Sequence, residues 1–172
     1  MSESKCYICA KTKNLMECEC CHSSVCKSCA EILPEDAFSF ADTQTDLLTK
    51  KIFCNPCFNQ EIQEPLNAYN ETLDKAKDVN IYFDHQGKET RLMKRKEKPI
   101  SIPDCADKEE ILMRLAFKAA EKGFNTVLDV KVVGEKVRMG TYQTTKYKAS
   151  GVPTQLEERL IVKDRSIWQN PN

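Results

Sequence analysis

Apolar residues recur at helical spacing between residues 58 and 73. Successive members are three or four residues apart, as on one face of an α-helix. They are Phe58, Ile62, Leu66, Tyr69 and Leu73. Pro65 lies inside this stripe, so the helix either begins there or is kinked. We predict a linker helix over residues 59–78 that packs on one of its neighbouring domains.

Beyond the helix the pattern changes to alternation. Ile81 and Phe83 alternate with polar residues, and turn-forming residues at 85–88 precede a second run at 90–96. Alternating runs separated by turn residues are typical of a β-hairpin. We therefore predict that the second domain begins with two paired strands.

A second amphipathic helix is predicted between residues 107 and 123. Asp107, with Glu110 three residues later, is typical of a helix start, and Gly123 is typical of a helix end. The apolar residues on one face of this helix are Ile111, Leu112, Leu115, Ala116 and Ala119.

Two further strands are predicted at 126–133 and 139–149, with a turn at 134–136. The order β-β-α-β-β implies a helix packed on one face of an antiparallel or mixed sheet. We predict a small α+β domain over residues 79–152, followed by a C-terminal tail over residues 153–172.

Composition indicates a water-soluble chain. Of the 172 residues, 30% are charged, and no apolar run approaches the roughly 20 residues that a membrane span needs. The first residues lack the apolar core of a signal peptide, so we expect a cytoplasmic or nuclear protein. The charge is unevenly distributed: residues 1–64 carry 6 Lys against 10 Asp and Glu, a formal −4, and residues 65–172 carry +4.

Nine of the ten cysteines lie within residues 6–57, in a chain for which we expect no secretion. Such clustering favours metal over disulfides. Eight of them form four Cys-x-x-Cys pairs: Cys6/Cys9, Cys18/Cys21, Cys26/Cys29 and Cys54/Cys57. Two such pairs supply the four thiolates of a tetrahedral structural zinc site. Four pairs therefore predict two Zn²⁺ ions, each with no position left for water.

Metal is also expected to supply most of the stability of the cysteine segment. Residues 1–58 contain few large apolar side chains, and a segment of this size rarely has a core worth more than about 3–5 kcal/mol. A structural zinc contributes roughly 10–16 kcal/mol in finger peptides. We therefore expect this segment to be disordered without metal.

The cysteine segment resembles the FYVE-type zinc finger, a treble-clef, cross-brace fold, over about a third of the chain. The resemblance rests on the four-residue gap in CECCHSSVCKSC and on the closing KIFCNPCFNQEI, with an aromatic residue after the last cysteine. It implies crossed pairing, which spacing alone does not distinguish from sequential pairing. By resemblance, one zinc is bound by Cys6, Cys9, Cys26 and Cys29, and the other by Cys18, Cys21, Cys54 and Cys57.

The predicted fold class is therefore α+β. A two-zinc finger over residues 1–58 is followed by the linker helix at 59–78. The β-β-α-β-β domain at 79–152 is sandwich-like, with a helix on one sheet face.

The sequence departs from FYVE domains that bind phosphoinositides. Those domains carry a basic run at the second cysteine pair, where this chain has acidic Glu17 and Glu19, and the family's N-terminal Trp-containing motif is missing. Two tetrathiolate zinc sites add about four negative charges, so an anionic headgroup would be repelled. We expect a protein partner here, and neither a phosphoinositide membrane nor a nucleic acid.

A RING-type finger, which would act with a ubiquitin-conjugating enzyme, is the main alternative. In that arrangement His22 replaces Cys21 as a ligand. In the FYVE-like arrangement Cys20 and His22 are left over, and Cys20 is either a spare thiol or an exchange ligand for Cys18 or Cys21. Cys105 is expected to be an unpaired surface or half-buried thiol in a loop.

A basic segment over residues 88–98 offers a second candidate surface. Its cations are Lys88, Arg91, Lys94, Arg95, Lys96 and Lys98. Such a run is most often a solvated face that protects a sheet edge. No aromatic residues interleave it for base stacking, which favours this interpretation. An adaptor role towards lipid or nucleic acid is the alternative.

Residues 107–150 weakly resemble a family of small oligomeric bacterial proteins described as heavy-metal-binding. The match is a helix ending in AAEKG, then a strand, then a long strand with small residues. No metal site is carried over, because this stretch has no histidine or cysteine. The resemblance implies a β-α-β-β shape and self-association through this domain. We expect no enzymatic activity, because two histidines and five glycines offer neither a catalytic set nor a phosphate loop.

Overall fold

The computed structural model describes residues 5–41 and 45–157. The chain divides into two compact units, Met1–Glu71 and Thr72–Asn172. Both helices and strands are present, which confirms the predicted α+β class. None of the helices within the described ranges is long and apolar enough to cross a membrane.

The first unit is built on two short antiparallel strand pairs. Strand β1 (Leu15–Glu17) pairs with β2 (Ser24–Cys26), and β3 (Ala30–Ile32) pairs with β4 (Ile52–Cys54). A 3-10 turn at Asp46–Thr49 lies between β3 and β4. These strands are only three residues long, so the sheets alone cannot account for the stability of the unit.

The predicted linker helix is present and is preceded by irregular turns. Helix α1 (Asn55–Cys57) leads into a π-helical segment at Phe58–Ile62 and then into α2 (Gln63–Lys77). Pro65 lacks an N–H group, so the carbonyl four residues earlier has no regular α-helical partner. The wide π turn lies at this point of the helix.

Apolar residues of this helical stretch complete the core of the first unit. Ile62 is fully buried with Phe38 and Phe53, and Leu66 packs against the same cluster. The ring of Tyr69 lies 5.2 Å from that of Phe38, centroid to centroid, at a tilt of 58°. Four members of the predicted apolar stripe therefore pack on the core of the cysteine-rich unit: Phe58, Ile62, Leu66 and Tyr69.

The second unit is a four-stranded mixed sheet with one long helix. Its elements are β5 (Asn80–Phe83), β6 (Ile100–Cys105), α3 (Lys108–Glu121), β7 (Thr126–Met139) and β8 (Tyr142–Thr154). In the sheet the strands lie in the order β5-β7-β8-β6, with β5 parallel to β7 and the other pairs antiparallel. The predicted order β-β-α-β-β is confirmed.

Helix α3 begins and ends where its capping residues predict. The Asp107 carboxylate accepts a 3.0 Å hydrogen bond from the backbone N–H of Glu110, and Gly123 has a left-handed φ of 80°. The buried face of the helix packs on one side of the sheet. This core contains Ile111, Leu115, Ala119, Val127, Val130 and Ala149.

The predicted hairpin at the start of this unit is wrong. Residues 90–96 form turns and extended loop, and β5 pairs in parallel with β7. The second strand, β6, begins ten residues later than predicted, at Ile100. The two buried side chains of this run, Thr90 and Met93, are three residues apart and are buried from a loop and not from a strand.

The predicted turn at 134–136 is also wrong. Gly134 lies within β7 opposite Tyr147, and a Cβ atom there would come within 3.1 Å of the Tyr147 ring. This glycine therefore makes room for an aromatic ring on the neighbouring strand. The turn lies at Gly140, whose φ of 65° suits a hairpin.

The C-terminal end of the sheet runs past the predicted strand. Strand β8 ends at Thr154, and Leu156 is buried against Tyr82 and Leu128. The remainder of the predicted tail, residues 158–172, lies outside the described residues.

Cys105 differs from its prediction as a surface thiol in a loop. It is the last residue of β6 and is 8% exposed. Burial raises the pKa of its thiol, and the nearby Glu110 carboxylate acts in the same direction. Cys105 is therefore an apolar core residue held as a neutral thiol.

The loop between β5 and β6 is attached to the sheet through Arg95. The Arg95 guanidinium forms a bidentate pair with the Asp129 carboxylate and also donates to the carbonyl oxygens of Thr90 and Met93, at 3.2 and 3.0 Å. Arg95 lowers the pKa of Asp129. Asp129 lies at an irregularity of β7 with a φ of 53°, a conformation that Asp tolerates better than most residues.

Gly151 tests the packing of the central strands. A Cβ atom at this position would lie 2.5 Å from Val127 Cγ1 and 3.2 Å from the Leu128 carbonyl oxygen. We expect Gly151→Ala to lower the free energy of unfolding of the second unit by about 2–3 kcal/mol, because the close atoms include backbone. Chemical denaturation of the metal-loaded protein measures this.

Gly87→Ala is the matched control. Gly87 has an ordinary right-handed conformation, with φ −57°, and the nearest atom to an added Cβ is 3.7 Å away. The free energy of unfolding of the Gly87→Ala variant should differ from that of the unaltered chain by no more than about 0.5 kcal/mol. Equal effects of the two substitutions would contradict the proposed packing of β7 on β8.

Candidate metal centre

The eight paired cysteines converge at two points. In each group the four Sγ atoms all lie within 4.8 Å of one another. The pairing is crossed: the first and third pairs meet, and the second and fourth pairs meet. Site one contains Cys6, Cys9, Cys26 and Cys29, and site two contains Cys18, Cys21, Cys54 and Cys57.

Local backbone geometry turns the first two pairs back on themselves. The N–H of Ala10 donates to the carbonyl of Cys6, and the N–H of His22 donates to the carbonyl of Cys18, both at 2.8 Å. Ala10 and His22 are left-handed, with φ of 57° and 61°. One residue in this conformation after each pair closes a tight turn, so that both sulfurs of the pair reach the same point.

The strand pairs connect the two sites. Strand β3 begins directly after Cys29 of site one, and its first residue, Ala30, pairs with Cys54 of site two. The backbone N–H of Cys54 in turn donates to the Cys18 sulfur at 3.2 Å. Each site is therefore positioned partly by the backbone that carries the other.

The sulfur–sulfur distances suit a shared ion and not a disulfide. The Sγ atoms of Cys9 and Cys26 are 3.4 Å apart, and those of Cys21 and Cys54 are 3.7 Å apart. A disulfide requires about 2.05 Å. Four sulfurs about 2.3 Å from a central metal ion would lie about 3.8 Å from one another in a tetrahedron. The donor set and its spacing therefore fit a tetrahedral metal ion.

The thiols of site one differ strongly in acidity. Burial acts to raise the pKa of Cys6, but hydrogen bonds from backbone N–H groups, including that of Cys26, lower it to about 6. A hydrogen bond with Cys9 lowers the pKa of Cys26. The same neighbouring sulfurs raise the pKa of Cys29 to about 12. Four adjacent sulfurs cannot all carry negative charge unless a cation lies between them.

Site two shows the same division. Hydrogen bonds from the side chain and backbone of Ser23 lower the pKa of Cys21 to about 6. Burial raises the pKa of Cys54 and of Cys57, and neighbouring sulfurs raise the pKa of Cys57 further. A divalent ion would remove this penalty, because it stabilises the thiolate form of every ligand.

Two candidate alternative ligands lie outside these groups. The His22 Nδ1 atom is 2.7 Å from a Glu17 carboxylate oxygen, and both side chains are exposed. Cys20 is half-buried and packs against the cluster of Cys18, Val25 and Cys54. The structure therefore places Cys21, and not His22, in the group that contains Cys18.

The predicted basic surface is divided by the fold. The Arg95 guanidinium is paired with the Asp129 carboxylate and donates hydrogen bonds to backbone carbonyls. The other five cations of the segment are exposed: Lys88, Arg91, Lys94, Lys96 and Lys98. This segment belongs to the second unit, whereas both cysteine groups belong to the first.

Glu19 has a role that its sequence position did not reveal. Its carboxylate accepts a 2.6 Å hydrogen bond from the backbone N–H of Lys51, and its carbonyl accepts one from the Lys50 ammonium at 2.7 Å. Its own N–H donates to the carbonyl of Ile52. Glu19 thus fixes the start of β4, which carries Cys54. These contacts span more than 30 residues, so no local pattern predicts them.

Comparison with known proteins adds no identification. No protein-family model matches the chain, and no curated protein or solved structure shows significant similarity to it.

Metal stoichiometry tests the two ligand sets. We expect two metal ions per chain in the unaltered protein and in His22→Asn, because the histidine ring faces Glu17 and asparagine tolerates a left-handed backbone. Cys57→Ser should retain one ion, since it removes one thiolate from site two. Native mass spectrometry at neutral pH measures both. Loss of an ion from His22→Asn would contradict the assignment.

Proposed function

We propose that this chain is a zinc-dependent interaction protein whose FYVE-like finger holds two structural Zn²⁺ ions and binds a protein partner. The observation that carries the proposal is the pair of closed, crossed tetrathiolate groups within the first unit. Each offers a complete tetrahedral ligand set, which leaves no position for a substrate or an activated water.

The donor chemistry favours zinc. Four thiolates in a tetrahedral arrangement select Zn²⁺ or an iron–sulfur centre. The two groups are separate sets of four, each within 4.8 Å, which suits single ions. Zinc needs no redox partner, and its binding energy offsets the small core of the unit. Apart from cysteines, the buried apolar side chains described in this unit are Val25, Leu33, Phe38, Phe53 and Ile62.

The FYVE-like assignment is supported by the crossed pairing and by the segment directly after Cys57. Phe58 packs against the core of the first unit, and the helical residues beyond it pack on the same core. A RING-type finger with His22 as a ligand is less well supported, because Cys21 occupies that place. Self-association through the α+β domain stays a prediction.

The chemistry of the finger favours a cationic, partly apolar partner. Residues 1–64 carry a formal −4, and two tetrathiolate zinc sites add about four more negative charges. Tyr7 and Ile8, between the cysteines of the first pair, are exposed, Tyr7 by 69%. The exposed apolar pair suits a partner with an apolar residue, and the negative charge of the finger suits a basic peptide. The same negative charge repels a phosphoinositide headgroup. We propose a non-catalytic role in the cytoplasm.

Removal of zinc should unfold one unit and spare the other. After strong chelation we expect backbone amides of the first unit to lose protection against hydrogen exchange, because about 10–16 kcal/mol per site is withdrawn. Amides of β7 and β8 should keep their protection, since their core contains no zinc ligand. In Cys105→Ala, a change outside both groups that adds no polar atom to the core, the first unit should respond to chelation as it does in the unaltered chain. Protection of the first unit that survives complete chelation would refute the structural role of zinc.

Peptide binding tests the partner class. We expect a peptide-display selection against the zinc-loaded chain to enrich sequences rich in Lys and Arg with an apolar residue. Their affinity, measured by fluorescence anisotropy, should fall roughly tenfold in Tyr7→Ser/Ile8→Ser and fall with added salt. Ile32→Ser removes a different exposed apolar side chain and should leave affinity unchanged. Tight binding of soluble inositol phosphates, with no such peptides, would contradict the proposal.

A further inference from the structure

The loop between β5 and β6 exposes a leucine to water. Leu92 is 93% exposed, the highest value among the described large hydrophobic side chains. It lies within residues 87–99, the segment that also carries the basic run. A leucine that is exposed to this degree buries almost no apolar area, so its side chain adds almost nothing to the free energy of folding.

Leu92 occupies the tip of a defined β-turn. The backbone N–H of Met93 donates to the carbonyl of Thr90 at 3.0 Å, which places Arg91 and Leu92 at the two central positions. The flanking residues are both buried, Thr90 completely. Turn centres usually carry Gly, Asn, Asp or Ser, so an arginine and a leucine there are not explained by turn formation.

This turn is held rigidly on the sheet. The Arg95 guanidinium donates to both carbonyls that bracket the turn, those of Thr90 and Met93, and to the Thr90 hydroxyl at 3.0 Å. Its remaining donors pair with Asp129 on β7. The position of Leu92 is therefore fixed by buried neighbours and by a charge-assisted network.

Cations flank the leucine in the sequence. Residues 88–98 contain six cations and two carboxylates, a formal charge of +4. Arg95 is neutralised by Asp129, but Lys131 lies close enough to affect the Asp129 carboxyl electrostatically and adds a further positive charge. The turn therefore combines an exposed apolar tip with exposed lysine and arginine. A surface that is negatively charged and has an apolar layer beneath the charge would attract both.

We propose that the turn at Thr90–Met93 docks on an anionic phospholipid membrane. Leu92 enters the boundary between headgroups and acyl chains, and Arg91, Lys94 and the adjacent lysines contact lipid phosphates. A nucleic acid would use the cations but offers no apolar layer for an aliphatic tip, and the segment has no aromatic residue for base stacking. This surface lies in the second unit and does not depend on the function proposed for the finger.

Vesicle co-sedimentation of the full, zinc-loaded chain tests the proposal. The probes are phosphatidylcholine vesicles and vesicles in which about a third of the lipid is phosphatidylserine. We expect binding to the anionic vesicles only, weakening as salt is raised, because part of the attraction is electrostatic.

Two pairs of matched variants separate the contributions. Leu92→Ser should weaken binding roughly tenfold, whereas Val133→Ser, at another exposed apolar residue, should not. Lys94→Gln/Lys96→Gln should weaken binding roughly 25-fold, about fivefold per cation. Lys136→Gln/Arg138→Gln removes the same charge from the β7 end of the sheet and should change binding less than about threefold.

Three outcomes would overturn the proposal. One is no binding to anionic vesicles. Another is vesicle binding that Leu92→Ser does not weaken, or that the two charge-neutralised variants weaken equally. Either result would mean that net charge alone attracts the chain to the vesicles. The third is tighter binding to a single-stranded oligonucleotide than to vesicles, again without an effect of Leu92→Ser, which would assign the surface to nucleic acid.

Discussion

Mutual repulsion among thiolates is the constraint on which the first unit depends. Eight sulfurs are brought together in two groups of four, each within 4.8 Å. In site one, neighbouring sulfurs raise the pKa of Cys29 to about 12, whereas, against the effect of burial, backbone hydrogen bonds lower the pKa of Cys6 to about 6. A divalent cation held between the four sulfurs would convert that repulsion into attraction. The three-residue strands, the tight turns after Cys9 and Cys21, and the core around Phe38 become mutually consistent once the ligands are fixed.

The two sites are not independent modules. Because Ala30, next to Cys29 of site one, pairs with Cys54 of site two, displacement of either cluster disturbs the strand pair between them. Within site two, Glu19 connects the Cys18/Cys21 turn to the backbone that leads into β4. Crossed connectivity of this kind couples the two sites, so loss of an ion from one should lower the affinity of the other, which still keeps its own four cysteines.

The sequence predicted features that depend on local chemistry. The helix cap at Asp107, the left-handed Gly123 and the four cysteine pairs are each contained within a few residues, and each is present in the structure. Long-range features were missed. The turn predicted at 134–136 is wrong because the ring that Gly134 accommodates, Tyr147, lies on another strand. The strand predicted at 90–96 failed because the buried Thr90 and Met93 belong to a turn held by Arg95 and Asp129. Crossed pairing of the cysteines was implied by resemblance alone.

The strand order β5-β7-β8-β6 has a consequence for biosynthesis. The two central strands are the last to leave the ribosome, and both edge strands wait for them: β5 has no partner until β7 is made, and β6 has none until β8 is made. The sheet therefore closes only when translation has passed residue 154. The cysteine unit is complete by residue 71 and can take up metal earlier. Nascent chains should thus pass through an interval in which one half is folded while apolar strands of the other are exposed to chaperones.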